Sequence, residues 1–197
     1  MQDGPLSHLI KMLSALPGLG SRSARRIALY LLNKRTTLMI PLAEALQRTA
    51  QEIKECSICG NLDMIDPCTI CQDIRRDTSM ICVVAHVSDV WAVERTGAYK
   101  GLYHILGGVL SALDGVGPED LNINHLVQRV YSEDVKEVIL ALSATVDGQS
   151  TVHYISDRLD GISVEITRLA HGVPMGGELD YLDDGTITTA LKARRAR

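Results

Sequence analysis

The chain has 197 residues, of which 46% are apolar, enough for one ordinary domain with a core and a smaller module beside it. No uncharged apolar stretch comes near the ~18 residues that a membrane-crossing helix needs, which excludes a helical membrane protein. The net charge of −4 divides unevenly: residues 1–55 hold eight Lys/Arg against four Asp/Glu, giving +4, and the remainder holds 12 against 20, giving −8. A basic head on an acidic body points to a polyanion partner for the head, or to a solvated basic helix face.

In chain order, Leu6, Leu9, Ile10 and Leu13 recur at helical spacing, so residues 5–15 read as an amphipathic helix. Leu16-Pro17-Gly18-Leu19-Gly20 interrupts it, and a second helix is predicted from about Ser21, with Ala24, Ile27, Ala28 and Leu31 on its buried side. Helix, glycine turn and helix make a helix-hairpin-helix pattern. Gly18 and Gly20 free the backbone to turn and bring N–H groups to a helix N-terminus, where a phosphate oxygen binds well. Arg22 and Arg26 stand one turn apart beside that turn, with Arg25 between them, so nucleic-acid binding through the backbone is the expectation for this head. Pro41 suits the first turn of a third helix, whose apolar side, Leu42, Ala45, Leu46, Thr49 and Ile53, is expected to pack on the hairpin.

Next comes Cys56-Ser57-Ile58-Cys59, eight residues, and Cys68-Thr69-Ile70-Cys71. Two C-x2-C pairs around a short turn place four thiolates where they can wrap one tetrahedral Zn²⁺, with Gly60 and Pro67 supplying turn chemistry. The alternative, disulfides, fits poorly: no basic segment leading into an apolar stretch marks a secretory signal, so a cytoplasmic, reducing setting is expected. The ribbon is expected to act as a rigid joint between head and body. Cys82, at the start of an apolar run, reads as a small buried hydrophobe.

Beyond the ribbon, Met80–Ala85, Leu102–Leu106, Lys136–Leu142 and Ile162–Leu169 read as strands. A helix capped by Ser88 and running to about Tyr99 falls between the first two, and a loop at Asp147-Gly148 with a helix from about Ser150 to Leu159 falls before the last. This alternation predicts an α/β fold: a largely parallel sheet between helical layers. Gly107–Gly117 is an irregular loop near the sheet edge, and Gly172-Val173-Pro174-Met175-Gly176-Gly177 a glycine-rich turn. The basic C-terminus, with Lys192, Arg194, Arg195 and Arg197, complements a helix end or touches an anionic partner.

The order of these parts resembles one family. The hairpin from Leu16 to Arg26, the four cysteines, Ile81-Cys82-Val83-Val84, the run Leu113 to Asp120 and the run His171 to Leu179 are together similar to the bacterial RecR recombination mediators. The resemblance implies a helix-hairpin-helix region over 1–55, a zinc ribbon over 56–72 with one Zn²⁺ per chain, a Toprim domain over 80–168, and a Walker-B-like assembly region over 169–197. It implies a ring tetramer that can encircle DNA, action with RecO and RecF, and help in placing RecA on gapped or single-stranded DNA in recombinational repair. It also implies DNA contacts at Arg22 and Arg26, and a partner-binding acidic surface that includes Asp89.

Catalytic Toprim domains, which the body also resembles, carry a Glu after the first strand and an Asp-x-Asp pair after a later one. Ala85 stands at the first position, where RecR-like chains usually have Glu, and Asp147-Gly148-Gln149 at the second. One carboxylate of three anchors a catalytic Mg²⁺ poorly, so a non-enzymatic protein is expected, and the competing reading is a metal-dependent nuclease or primase-like enzyme. A third reading, a scaffold whose hairpin meets protein rather than DNA, is left standing by charge alone. No phosphate-cradling G-x-x-x-x-G-K-[ST] loop and no G-x-S-x-G turn occurs, and the six histidines are scattered. Tyr30 is the sole aromatic residue of the basic head, which favours backbone contact without sequence readout.

Overall fold

The computed structural model describes residues 4–170, 172–173, 176 and 178–193. The chain separates into two compact units, Met1–Ile53 and Lys54–Arg197. No described helix is long and apolar enough to cross a membrane.

In the first unit, helix α1 (Pro5–Ser14) and helix α2 (Ser21–Asn33) pack as a hairpin. Pro5 opens α1, where its missing N–H costs nothing. Ala24, Ala28 and Leu31 are the buried residues of α2. Five residues of π-helix, Arg35–Met39, then lead without a reversal into α3 (Ile40–Glu52), the Leu38 and Met39 amides both donating to the Lys34 carbonyl. The expected packing of α3 on the hairpin is therefore not formed. Leu42, Ala45, Leu46, Thr49 and Ile53 are all exposed, because the chain continues through the π turn instead of folding back.

The second unit begins with the ribbon: strands β1 (Lys54–Glu55) and β2 (Leu62–Asp63) pair antiparallel, and a one-turn helix α4 (Thr69–Gln72) follows. The sheet is built of β3 (Asp77–Val84), β4 (Gly101–Ile105), β5 (Glu137–Leu140) and β6 (Glu165–Arg168), all parallel, in the order β4-β3-β5-β6. Parallel strands buried on both faces must be apolar throughout, and Ile81-Cys82-Val83-Val84 is that kind of run. Alternate residues feed two cores. Ile81, Val83, Val138 and Leu140 meet α6 (Ile123–Ser132) and α7 (Val146–Arg158); Cys82, Val84, Tyr103 and Ile105 meet α5 (Val87–Thr96) on the opposite face. Helix α8 (Asp184–Lys192) closes the described chain. Of the C-terminal motifs, His171, Pro174, Met175, Gly177, Arg194, Arg195 and Arg197 lie outside the described residues.

Helix starts differ from the expectation in two places. Helix α5 begins at Val87, with Ser88 inside it, because the Asp89 carboxylate accepts the His86 amide at 2.8 Å and fixes the first turn earlier. Helix α7 begins at Val146 rather than near Ser150: Thr145 caps it, its Oγ1 accepting the Gly148 amide at 3.2 Å. Gly148 is thus no loop glycine; a Cβ there would stand 2.2 Å from the Ser143 carbonyl oxygen. Helix α6, which was not anticipated, carries buried Ile123, Leu126 and Val130, and its Arg129 donates to the Tyr103 carbonyl at 2.8 Å.

Candidate functional site

Two sites emerge, one in each unit. In the hairpin, Gly18 adopts φ +79°, a left-handed conformation open to glycine at little cost, and Gly20 is extended (φ −80°, ψ 167°) as the residue preceding α2. The Ala24 amide is the first of α2 to donate within the helix, to the Gly20 carbonyl at 2.9 Å, so the amides of Ser21, Arg22 and Ser23 are the free N–H groups of a helix start. Arg22, Arg25 and Arg26 are exposed on the same first turns, and none forms an ion pair among the described residues. Free amides, the positive end of a 13-residue helix and three unpaired guanidinium groups thus share one surface, which suits a phosphate-bearing chain.

In the ribbon, the four sulfurs of Cys56, Cys59, Cys68 and Cys71 lie within 4.8 Å of one another. Cys56 and Cys71 Sγ are 3.9 Å apart, and Cys59 and Cys68 Sγ 3.6 Å. Sulfurs at ~2.3 Å from a tetrahedral zinc would be about 3.8 Å apart, so the donor set fits that ion. The protonation pattern agrees. A hydrogen bond to Cys68 pushes the Cys59 thiol up to about 12, contact with Cys59 and Cys68 raises Cys71, and the bond from Cys59 holds Cys68 far below the usual thiol range. Four sulfurs so close cannot all carry charge unaided, and a divalent cation removes that conflict. The knuckle is held by the Cys68 amide donating to Cys56 Sγ at 3.3 Å and by Asp63, whose carboxylate accepts the Thr69 amide and hydroxyl, each at 2.8 Å. These bonds keep the Asp63 carboxyl below its ordinary range. The ribbon belongs to the sheet: the Ile105 amide, at the end of β4, donates to the Cys59 carbonyl at 2.8 Å.

Of the other predicted positions, Cys82 is buried, its thiol pushed up to about 12 by desolvation. Ala85 follows β3 directly and is buried, and Asp147 lies in the first turn of α7. Asp89 is half-buried and engaged in starting α5. Among the described residues, the one group of three or more potential metal ligands is the four cysteines.

The comparisons with known proteins bear on both sites. Family models match in chain order: the RecR helix-hairpin-helix over residues 6–50, the RecR four-cysteine zinc-finger domain over 53–73, a Toprim domain over 79–170 and the RecR C-terminal region over 172–195. The recombination protein RecR of Parvibaculum lavamentivorans is 58% identical over 193 residues, covering 98% of this chain and 97% of its own length. The chain belongs to the RecR family. RecR of Paramagnetospirillum magneticum is 60% identical over 193 residues, covering 98% of both chains, and RecR of Maricaulis maris 61% over 192 residues, covering 97% of this chain and 96% of its own. In this RecR-family chain the four cysteines are the site of one zinc ion.

One further feature went unread in the sequence. Leu16-Pro17-Gly18-Leu19-Gly20 recurs in pattern as Leu113-Asp114-Gly115-Val116-Gly117. The backbone repeats too: Gly115 has φ +71°, and Gly117 is extended (φ −96°, ψ 175°) before a short 3-10 turn, Pro118–Asp120. Here, however, the Gly117 amide is already taken by the Asp120 carboxylate at 2.8 Å.

Proposed function

We propose that this protein is a non-enzymatic, DNA-binding mediator of recombinational DNA repair, acting in the cytoplasm with RecO and RecF to help load RecA on gapped or single-stranded DNA. The hairpin carries the proposal: Gly18 and Gly20 present the α2 amides beside exposed, unpaired Arg22, Arg25 and Arg26. Contacts of that kind go to phosphates, so the binding is strong at low salt and indifferent to sequence. The absence of catalysis is supported by Ala85 and by the lack of a carboxylate cluster among the described residues, since Mg²⁺ requires several oxygen ligands.

We assign Asp89 to a partner-binding surface with RecO, in addition to its part in starting α5. Assembly into a ring tetramer is supported by the sheet itself. Among the described residues, the face that carries α5 has an apolar groove of about 440 Å³ lined by Cys82, Val93, Tyr99, Ile139 and Leu169. A second copy of this chain is the occupant that completes it. Gel shifts on single-stranded DNA across a salt series test the DNA reading, with labelled DNA and Mg²⁺ or Mn²⁺ as the control for strand cleavage. Binding that declines with salt, with no cleavage products, is the expected result; failure to bind at low salt overturns it.

A further inference from the structure

We infer that Arg129 is the counter-charge of the zinc centre: its buried guanidinium, fixed beside the ribbon on the open side of β4, offsets negative charge on the four thiolates and sets how tightly this chain holds its metal. The need for a cation follows from the ligand set. Four thiolates around one Zn²⁺ leave two negative charges uncancelled, and Cys56, Cys59 and Cys68 are buried. The ribbon itself supplies no remedy, since residues 56–71 hold Asp63 and Asp66 but no Lys or Arg.

Arg129 reaches the site from α6. Its Nη1 donates to the Tyr103 carbonyl at 2.8 Å, and two residues further on the Ile105 amide donates to the Cys59 carbonyl, also at 2.8 Å. Backbone groups two residues apart on a strand point the same way and stand about 7 Å apart. The guanidinium and the Cys59 knuckle are therefore neighbours on the side of β4 that faces away from β3. A cavity of about 320 Å³ has Arg129, Ile58 and Cys71 together in its wall, and Cys71 is the least buried of the four ligands.

Arg129 also has charge to spare. It is 4% exposed, and its Nη2 is buried without a hydrogen-bond partner among the described residues. Its ion pair, from Nε to Glu133 at 3.1 Å, goes to a side chain that is 41% exposed, so water screens the carboxylate and leaves much of the buried positive charge unmatched. The two arginines that follow the ribbon in sequence are committed elsewhere. Arg75 is exposed and paired with Asp73, and Arg76 is paired with Glu94 through both Nη atoms.

The test is competition for zinc between the full-length, zinc-loaded chain and a chromophoric chelator, for the wild type, Arg129→Met, Arg129→Lys and Glu133→Gln. Arg129→Met is expected to weaken zinc binding about tenfold, and Arg129→Lys, which keeps the charge, to stay within about threefold of the wild type. Glu133→Gln separates charge from scaffolding. It removes the competing carboxylate and leaves the guanidinium in place, so zinc binding should tighten about threefold, whereas loss of a merely structural ion pair would loosen it. Unchanged zinc affinity in Arg129→Met overturns the inference, as does an Arg129→Lys chain that binds as weakly as Arg129→Met. Unchanged or weaker binding in Glu133→Gln overturns it as well, and that variant decides alone if the Arg129 substitutions do not fold.

Discussion

The two glycine turns, one in each unit, share a backbone and differ in everything attached to it. Each puts its first glycine at a φ of +71° to +79° and its second in extended conformation before a helical turn. The hairpin turn leads into 13 residues of α-helix with arginines at its second, fifth and sixth positions. The later turn leads into three residues of 3-10 helix whose amide end is closed by Asp120. A glycine turn by itself therefore specifies a bend. Whether that bend can receive a phosphate is decided by the charge beside it and by whether its amides are already paired.

The strongest challenge to this contrast comes through the metal, which stabilises the second unit. Cys59→Ser should reduce zinc below one ion per chain and lower the unfolding free energy by about 4 kcal/mol, read by metal analysis and urea denaturation. If DNA affinity falls along with zinc, the hairpin turn does not work independently of the ribbon. Next in size, Arg22→Glu with Arg26→Glu should weaken DNA binding about 100-fold at low salt and reduce the log–log salt slope by about 2, while Glu119→Arg with Asp120→Arg should leave affinity within about threefold. A gain in binding from the second pair would mean that the bend was sufficient after all. Smaller again, Gly18→Ala and Gly115→Ala should each cost about 1–2 kcal/mol, because neither would clash and each stores the same left-handed strain. Unequal losses would separate the two backbones.

The smallest effect concerns His104, buried in β4 with Nε2 2.9 Å from the Asn122 carbonyl oxygen. Burial lowers its pKa from an ordinary value near 6.5 to about 4. Between those values the unfolded chain takes up a proton that the folded chain refuses, so stability declines as pH falls through that window. Urea midpoints measured from pH 7 to 5 should fall less steeply in His104→Gln than in the wild type.

Much of the fold was legible because its signals are local. Four cysteines at fixed spacing need only one another, and the strand Ile81–Val84 announces burial on both faces by being apolar throughout. What escaped depended on partners distant in sequence or on competition between neighbours. Ser88 is a good capping residue, but Asp89 reached the His86 amide and moved the helix start. The apolar side of α3 promised a packing partner that the π turn takes away. Helix α6 has clear spacing at Ile123, Leu126 and Val130, yet its buried Arg129 makes sense only once the Tyr103 carbonyl stands beside it. Of the candidate site, the residue types were legible, whereas the freedom of the α2 amides is set by where the turn ends and the helix begins.

The bond from the Ile105 amide to the Cys59 carbonyl has a consequence for how this molecule meets its own kind. Strand β4 borders the sheet on one side and β6 on the other. The metal knuckle sits against the first border like a selvedge, occupying a backbone donor that a stray strand could otherwise pair with. Strand addition at that border is thereby hindered, and a molecule stripped of its ion is expected to lose that protection and to precipitate more readily.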